Sequence, residues 1–479
     1  MAFTLPRALI CAIAGTFFGF NGPMTIIQAS PMSQEPRYES ISLINSKSPQ
    51  YGAELRCDSS ELKLVLFDIK LNLMGTLDNL KLNVTGNLNN GKKGLGSLSL
   101  GKLVRRLVAD SDDSVARFEK HVGSVFTRSF PDLMKYKSAQ VNDTPWSGDY
   151  YPAALDSINN PTRAGDKSPS QKYAEGFNLS AEVVVAQVSA AKGAQHYINK
   201  NFSRCRVDAD CDQSEKRKCT YQYGTNSTGA EGVCIQKWAG ICHAWSIAAI
   251  FEAQPKCPVV VGNVEFSALD VQALLIYMYD EANAETVIAG ARFDPGMDDT
   301  KDSHNRPNSP VMRDINAGSF LVILVNMIGV LERSFVGDVT QGIAVWNHPI
   351  VSYEITVVQP VDEPLLQKFY GVSKYPYNDD ATSLMYLEVV VTWVVENMQG
   401  QEYDASGKHV QVTNKHTQKM IIELDTQQNV IGGEHLDDHF DYIWLDKTHL
   451  NEDTVGAGGF EYKFIKKLLV ASQTCTKFE

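Results

Sequence analysis

Apolar residues recur along the chain with two different periods, and the change between them divides it. Ile241, Ala244, Ala248 and Phe251 fall at helical spacing, and Pro255 ends the run. Val271, Leu274, Leu275 and Met278 form a second helical stripe. Residues 320–331 are apolar on nearly every side, which predicts a helix buried all round. Residues 103–122 and 180–191 also read as helices. Beyond 335 the period shortens. Segments 335–338, 350–358, 384–395, 419–424 and 430–434 are rich in Val, Ile and Tyr, and Tyr353, Ile355 and Val357 alternate with more polar neighbours. Residues 425–429 read as a hairpin turn. Helices followed by antiparallel strands predict an α+β fold. Residues 62–100 alternate loosely and are broken at Asn90-Gly91, as in a few strands or a weakly ordered segment.

Composition narrows the setting. A chain of 479 residues predicts two or three units, and 43% apolar residues supply a core. A net charge of −12, with no basic patch interleaved with aromatics, argues against a nucleic-acid partner. Residues 1–30 read as a secretory leader: Arg7 is its positive end, and its apolar core is too short to span a bilayer. The nearest later candidate for a span, 312–330, is interrupted by Arg313 and Asp314, so no membrane span is expected. A secreted, extracellular product follows, and sequons at Asn83, Asn142, Asn178, Asn201 and Asn226 agree with it.

The cysteines fit an oxidising compartment. Cys205, Cys211, Cys219 and Cys234 crowd around Asp208-Ala209-Asp210 and read as a two-disulfide knot whose pairing the spacing leaves open. Zinc is the minor alternative, since no CxxC pair is present. With Cys242 kept as a thiol, one more pair is expected among Cys57, Cys257 and Cys475, with Cys257–Cys475 the first choice.

Cys242 opens the helix that begins this reading. A thiol in a first turn sits against unpaired N–H groups and the positive end of the helix dipole, and both favour thiolate. Gly240 beside it leaves room for a substrate backbone. Such a nucleophile needs a base and a group to orient that base. Papain-like and transglutaminase-like sites put the cysteine on a helix and its partners on a facing sheet, and the order of elements here matches. His243 is adjacent to Cys242, and consecutive helix residues do not face each other. His348 lies at a strand start, and His439 lies among carboxylates that would favour imidazolium. Asp441 and Asp338 are the candidate orienting acids. Trp238 and Trp245 are candidates to shield a thioester. Asp298, Asp299 and Asp302 crowd one loop and make calcium a candidate, although the spacing is not that of an EF-hand.

Several motifs then coincide in one order: Ser168-Pro169-Ser170 with Lys172-Tyr173-Ala174, the spacing of the four knot cysteines, and Gly240-Ile241-Cys242-His243-Ala244-Trp245. Gly290-Ala291-Arg292-Phe293, Ser334-Phe335-Val336 with Asp338-Val339, and Val345-Trp346-Asn347-His348-Pro349 follow. Glu423-Leu424-Asp425, Ile431-Gly432-Gly433-Glu434 and His439-Phe440-Asp441-Tyr442-Ile443-Trp444 complete the set. Over about 140–475 the chain resembles the secreted oomycete transglutaminases, whose members carry an elicitor peptide recognised by plant immunity. It departs from the family at His348, where glutamine is usual, and at His435, where tryptophan is usual. The resemblance implies a leader at 1–30, a pro-region or accessory segment at 31–140, and a catalytic domain at 141–479 that includes the knot at 205–234. It implies a protein-glutamine γ-glutamyltransferase that joins glutamine and lysine side chains of protein substrates, with Cys242 as nucleophile, His439 as base and Asp441 or Asp338 orienting it. A cell-wall setting and a plant immune receptor as partner are implied with it. Two alternatives share the residues: a papain-like cysteine protease or deamidase, and an inactive elicitor-like protein.

Overall fold

The computed structural model describes residues 113–478 apart from 215, 223–230, 281–283, 293–299, 301–312, 342 and 398–408. The expected leader, the 62–100 segment, Cys57, Asn83, Asn226 and the Asp298, Asp299 and Asp302 loop lie outside the described residues. Helices are labelled α1 (Ser114–Val122), α2 (Pro169–Gly176), α3 (Ala181–Lys192), α4 (Cys242–Phe251), α5 (Ala268–Asp280), α6 (Ala317–Leu324) and α7 (Tyr462–Thr474). Strands of the main sheet are β1 (Ser138–Gln140), β2 (Thr286–Gly290), β3 (Phe335–Asp338), β4 (Asn347–Pro360), β5 (Ser383–Val394), β6 (Thr413–Leu424), β7 (Val430–His435) and β8 (Tyr442–Asp446).

The sheet is antiparallel, in the order β7-β6-β5-β4-β3-β8-β2, and β1 joins β4 beyond the end of β3. Each strand segment expected after 335 is present. Breaks in register between β5 and β4, at Glu388/Val389 and Thr392/Trp393, add the local twist that curls such a sheet. The expected α+β class is therefore the observed one. β2 and β8 were not anticipated. β8 is buried along its whole length, so its Tyr-Ile-Trp-Leu run has no alternation to reveal it.

Local sequence explains the helix ends. Ser168 and Gln171 form a capping box before Pro169, and Ser180 caps α3 through the N–H of Val183. Ile241 precedes α4 and supplies no side-chain cap. The apolar run at 320–331 is helical but not uniform: α6 gives way to a π-helical turn at Val325–Val330. Asn326 accounts for the change. Its amide donates to Val322 O and Thr127 O and accepts from Thr127 N, so the turn widens around an inserted side chain.

α4 packs on β4 and β3 on one side and on α5 on another, while α7 lies against α5. Glu252, buried at the end of α4, ties these helices together: it accepts from Tyr279 of α5 at 2.8 Å and from Tyr462 and Lys466 of α7. α6 sits directly on β7, because a Cβ on Gly318 would stand 2.3 Å from Gly432 O. Cys205–Cys219 and Cys211–Cys234 staple the knot, and Cys257–Cys475 joins the chain after α4 to the end of α7. The knot sulfurs are thus spent in disulfides, which overturns the zinc alternative, and the first choice for the third pair holds. No helix among the described residues is long and apolar enough to cross a membrane. Asn142, Asn178 and Asn201 are exposed.

Candidate active site

Cys242 is the one cysteine outside a disulfide among the described residues. It begins α4 and is 3% exposed. Its thiol donates to Val345 O at 3.7 Å, and its Sγ accepts from Asn347 Nδ2, also at 3.7 Å. Asn347 Oδ1 in turn accepts from Trp444 Nε1 of β8 at 2.7 Å. Ser246, one turn along α4, donates to Asn347 O at 2.6 Å, with Cys242 O also within reach of its hydroxyl at 3.0 Å, fixing helix to strand beside the sulfur.

Burial decides the state of this thiol. It pushes Cys242 up to about 12, while the backbone N–H and side-chain amide of Asn347 pull the other way and the carboxyls of Glu396 and Asp338 add to the rise. The thiolate expected from the helix start is thus outweighed at rest, because desolvation exceeds the effect of the dipole. The space beside Gly240 is also already filled. Tyr150 O accepts from Ile241 N at 2.7 Å, and a Cβ on Gly240 would lie 2.5 Å from that oxygen. The room expected there for a substrate backbone therefore belongs to Tyr150, whose ring meets Trp346 edge-on at 5.3 Å.

The histidines occupy separate settings. His243 Nε2 pairs with Asp280 Oδ1 at 2.7 Å. Burial alone would raise Asp280, yet Lys192 at 2.6 Å and His243 hold it down at about 2. His348 is driven down to about 4 by burial, with Nδ1 2.9 Å from Val394 O. Glu396 lies 3.6 Å from that ring, but burial raises its own carboxyl and the ring stays neutral. His439 is the histidine held above its ordinary value. Burial opposes its charge, but Asp314, 3.1 Å from Nε2, and Asp437 O, 2.8 Å from Nδ1, outweigh it. The ring of His439 lies flat on that of His435 with centroids 4.2 Å apart.

The expected set is only partly gathered. Asp338 lies close enough to act electrostatically on the thiol; it is fully buried and raised to about 7 by that burial. Its Oδ1 accepts from Trp346 N at 2.9 Å, and its Oδ2 has no hydrogen-bond partner among the described residues. His439 is paired with Asp314 rather than with Asp441 or Asp338, and the hydrogen-bond partners of the Cys242 sulfur are Val345 and Asn347, not an imidazole. Asp441 is buried at the root of β8, and its carbonyl accepts from Ile315 N at 3.0 Å. Asp314, Asn347 and Trp444 are not among the site residues the sequence predicts. Asn347 and Trp444 stood inside quoted motifs, but no spacing rule links them to Cys242. Trp245 is fully buried and donates to Trp146 O at 3.1 Å, which is packing.

Residues 114–475 match the family model described as "Transglutaminase elicitor". The chain belongs to the transglutaminase elicitor family. Within solved structures, this family member is similar to the GP42 transglutaminase from Phytophthora sojae, with 29% identity and a TM-score of 0.64, over 76% of this chain and 98% of that one. No curated protein matches it. The match spans α1 through Cys475, so the whole setting of Cys242, Asn347 and Trp444 lies inside the family region.

Proposed function

We propose that this transglutaminase-elicitor protein is a protein-glutamine γ-glutamyltransferase acting through Cys242. The observation that carries the reading is an unbridged thiol at the start of a helix, hydrogen-bonded to the asparagine of the Val-Trp-Asn segment, in a chain of this family. In the reaction, the sulfur gives up its proton and attacks a glutamine carboxamide carbon. The C–S bond forms, the C–N bond breaks, and the nitrogen takes a proton and leaves as ammonia. A lysine amine then attacks the thioester and loses a proton; the isopeptide forms and the thiolate is released. Proton transfer is assigned to His439, supported by its raised affinity for a proton; Asp338, expected as an orienting acid, is proposed to share that transfer, supported by its position near the thiol and a value of about 7. Asp441 remains the second proposed orienting acid, supported by its burial beside the strand that carries Trp444.

The reading extends to setting and partners. Three disulfides and three exposed sequons support a secreted, glycosylated protein of the extracellular space or cell wall. Proteins offering glutamine and lysine are its substrates, and family membership supports a plant immune receptor as a further partner. A second reading, recognition without transfer, is favoured by the covered and neutral thiol. One assay separates them. The full chain freed of its leader is incubated with a glutamine donor and a labelled primary amine. Incorporation by the wild type and its loss in Cys242→Ala is expected. No incorporation, or equal incorporation by the variant, contradicts the first reading, and release of ammonia without incorporation points to hydrolysis. His439→Ala and Asp338→Asn, assayed alongside, assign the proton transfer to whichever loses activity.

A further inference from the structure

Asn347 is fully buried, and both ends of its amide are engaged. The indole N–H of Trp444 can only donate, so it must meet the amide oxygen. That requirement turns the NH2 end toward Cys242 Sγ at 3.7 Å. Ser246 fixes the same residue from behind by donating to Asn347 O. A donor aimed at sulfur from a rigid strand favours the anion over the neutral thiol, which is the state that burial opposes.

We propose that Asn347 is a positioning residue for Cys242, its amide held in one orientation by Trp444 so that its Nδ2 supports the sulfur as negative charge develops on it. This inference rests on Cys242 being the nucleophile. Trp444 then acts through Asn347 and touches no reacting atom. Packing alone would make the two residues independent contributors, whereas orientation makes one depend on the other.

The test is a double-mutant cycle on kcat in the full chain, with Asn347→Ala, Trp444→Phe and the pair, and KM for the glutamine donor measured in each. Asn347→Ala is expected to lower kcat by about tenfold to a hundredfold, the range of one hydrogen bond to a charged group, with KM within about twofold. Trp444→Phe keeps the ring and removes the donor. It is expected to lower kcat several-fold in the wild-type background and not at all in the Asn347→Ala background. Unchanged kcat, a loss confined to KM, or additive losses would overturn the proposal. Should Asn347→Ala fail to fold, an unchanged kcat in Trp444→Phe overturns it alone. Full transfer by Cys242→Ala would remove the underlying reading as well, whereas wild-type transfer that needs Cys242 with unmoved kcat in both variants removes only the positioning role.

Discussion

Desolvation sets the protonation of several buried residues in this molecule, Cys242 and Asp338 among them, and His348 shows it in a measurable form. Its folded value of about 4 lies below the ordinary 6.5. Protons therefore bind the unfolded chain more readily than the folded one, so its contribution to stability is complete above about pH 6.5 and is lost as pH falls toward 4. That difference corresponds to about 3 kcal/mol for this residue, at roughly 1.4 kcal/mol per pH unit. Urea unfolding of wild type and His348→Gln at pH 7 and pH 4 measures it. The variant is expected to lose about 3 kcal/mol less between the two, and equal losses would refute the assignment. The same force explains what sequence could and could not say of the site. Cys242 was legible because a nucleophile at a helix start is a local pattern. Its protonation was not, because that depends on burial and on Asn347, Glu396 and Asp338, brought to it from distant segments. Asp314 was not legible as the partner of His439 for the same reason: it is 125 residues away along the chain.

At the scale of elements, periodicity placed the strands after 335 and the helices carrying Cys242 and Val271, since each has one clear apolar face or a sustained β-branched run. It missed the π-turn in 320–331, where the one polar residue in an apolar stretch, Asn326, was the available signal. It missed β8 because a fully buried strand has no alternation. α7 depends on more than its apolar face. Cys257–Cys475 closes a loop of 218 residues, and the Ser472 hydroxyl donates to Cys257 O at 2.6 Å and accepts from Lys256 N at 3.1 Å, while Cys257 N donates to Ser472 O at 3.0 Å. Chain-entropy arguments place the stabilisation from such a closure at about 5 kcal/mol as an upper value, and about 2–5 kcal/mol is usual on removal. The paired variant Cys257→Ser with Cys475→Ser is expected to unfold at a lower temperature while keeping transfer activity in the cold. An unchanged melting temperature would show that α7 is held by Glu252 and its tyrosines without the crosslink.

For the molecule as a whole, family membership and the helix-borne thiol support the proposed account, in which a covalent acyl-enzyme would form on Cys242. The thiol is 3% exposed, so reaction requires the residues around it to give way to a glutamine side chain. Mass spectrometry of the full chain tests this most directly. The protein is incubated with a glutamine-containing peptide in the absence of amine, quenched in acid and digested. The account predicts the donor peptide, less ammonia, attached to the fragment that contains Cys242 and released by hydroxylamine. Absence of an adduct, or an adduct on any other residue, would contradict it.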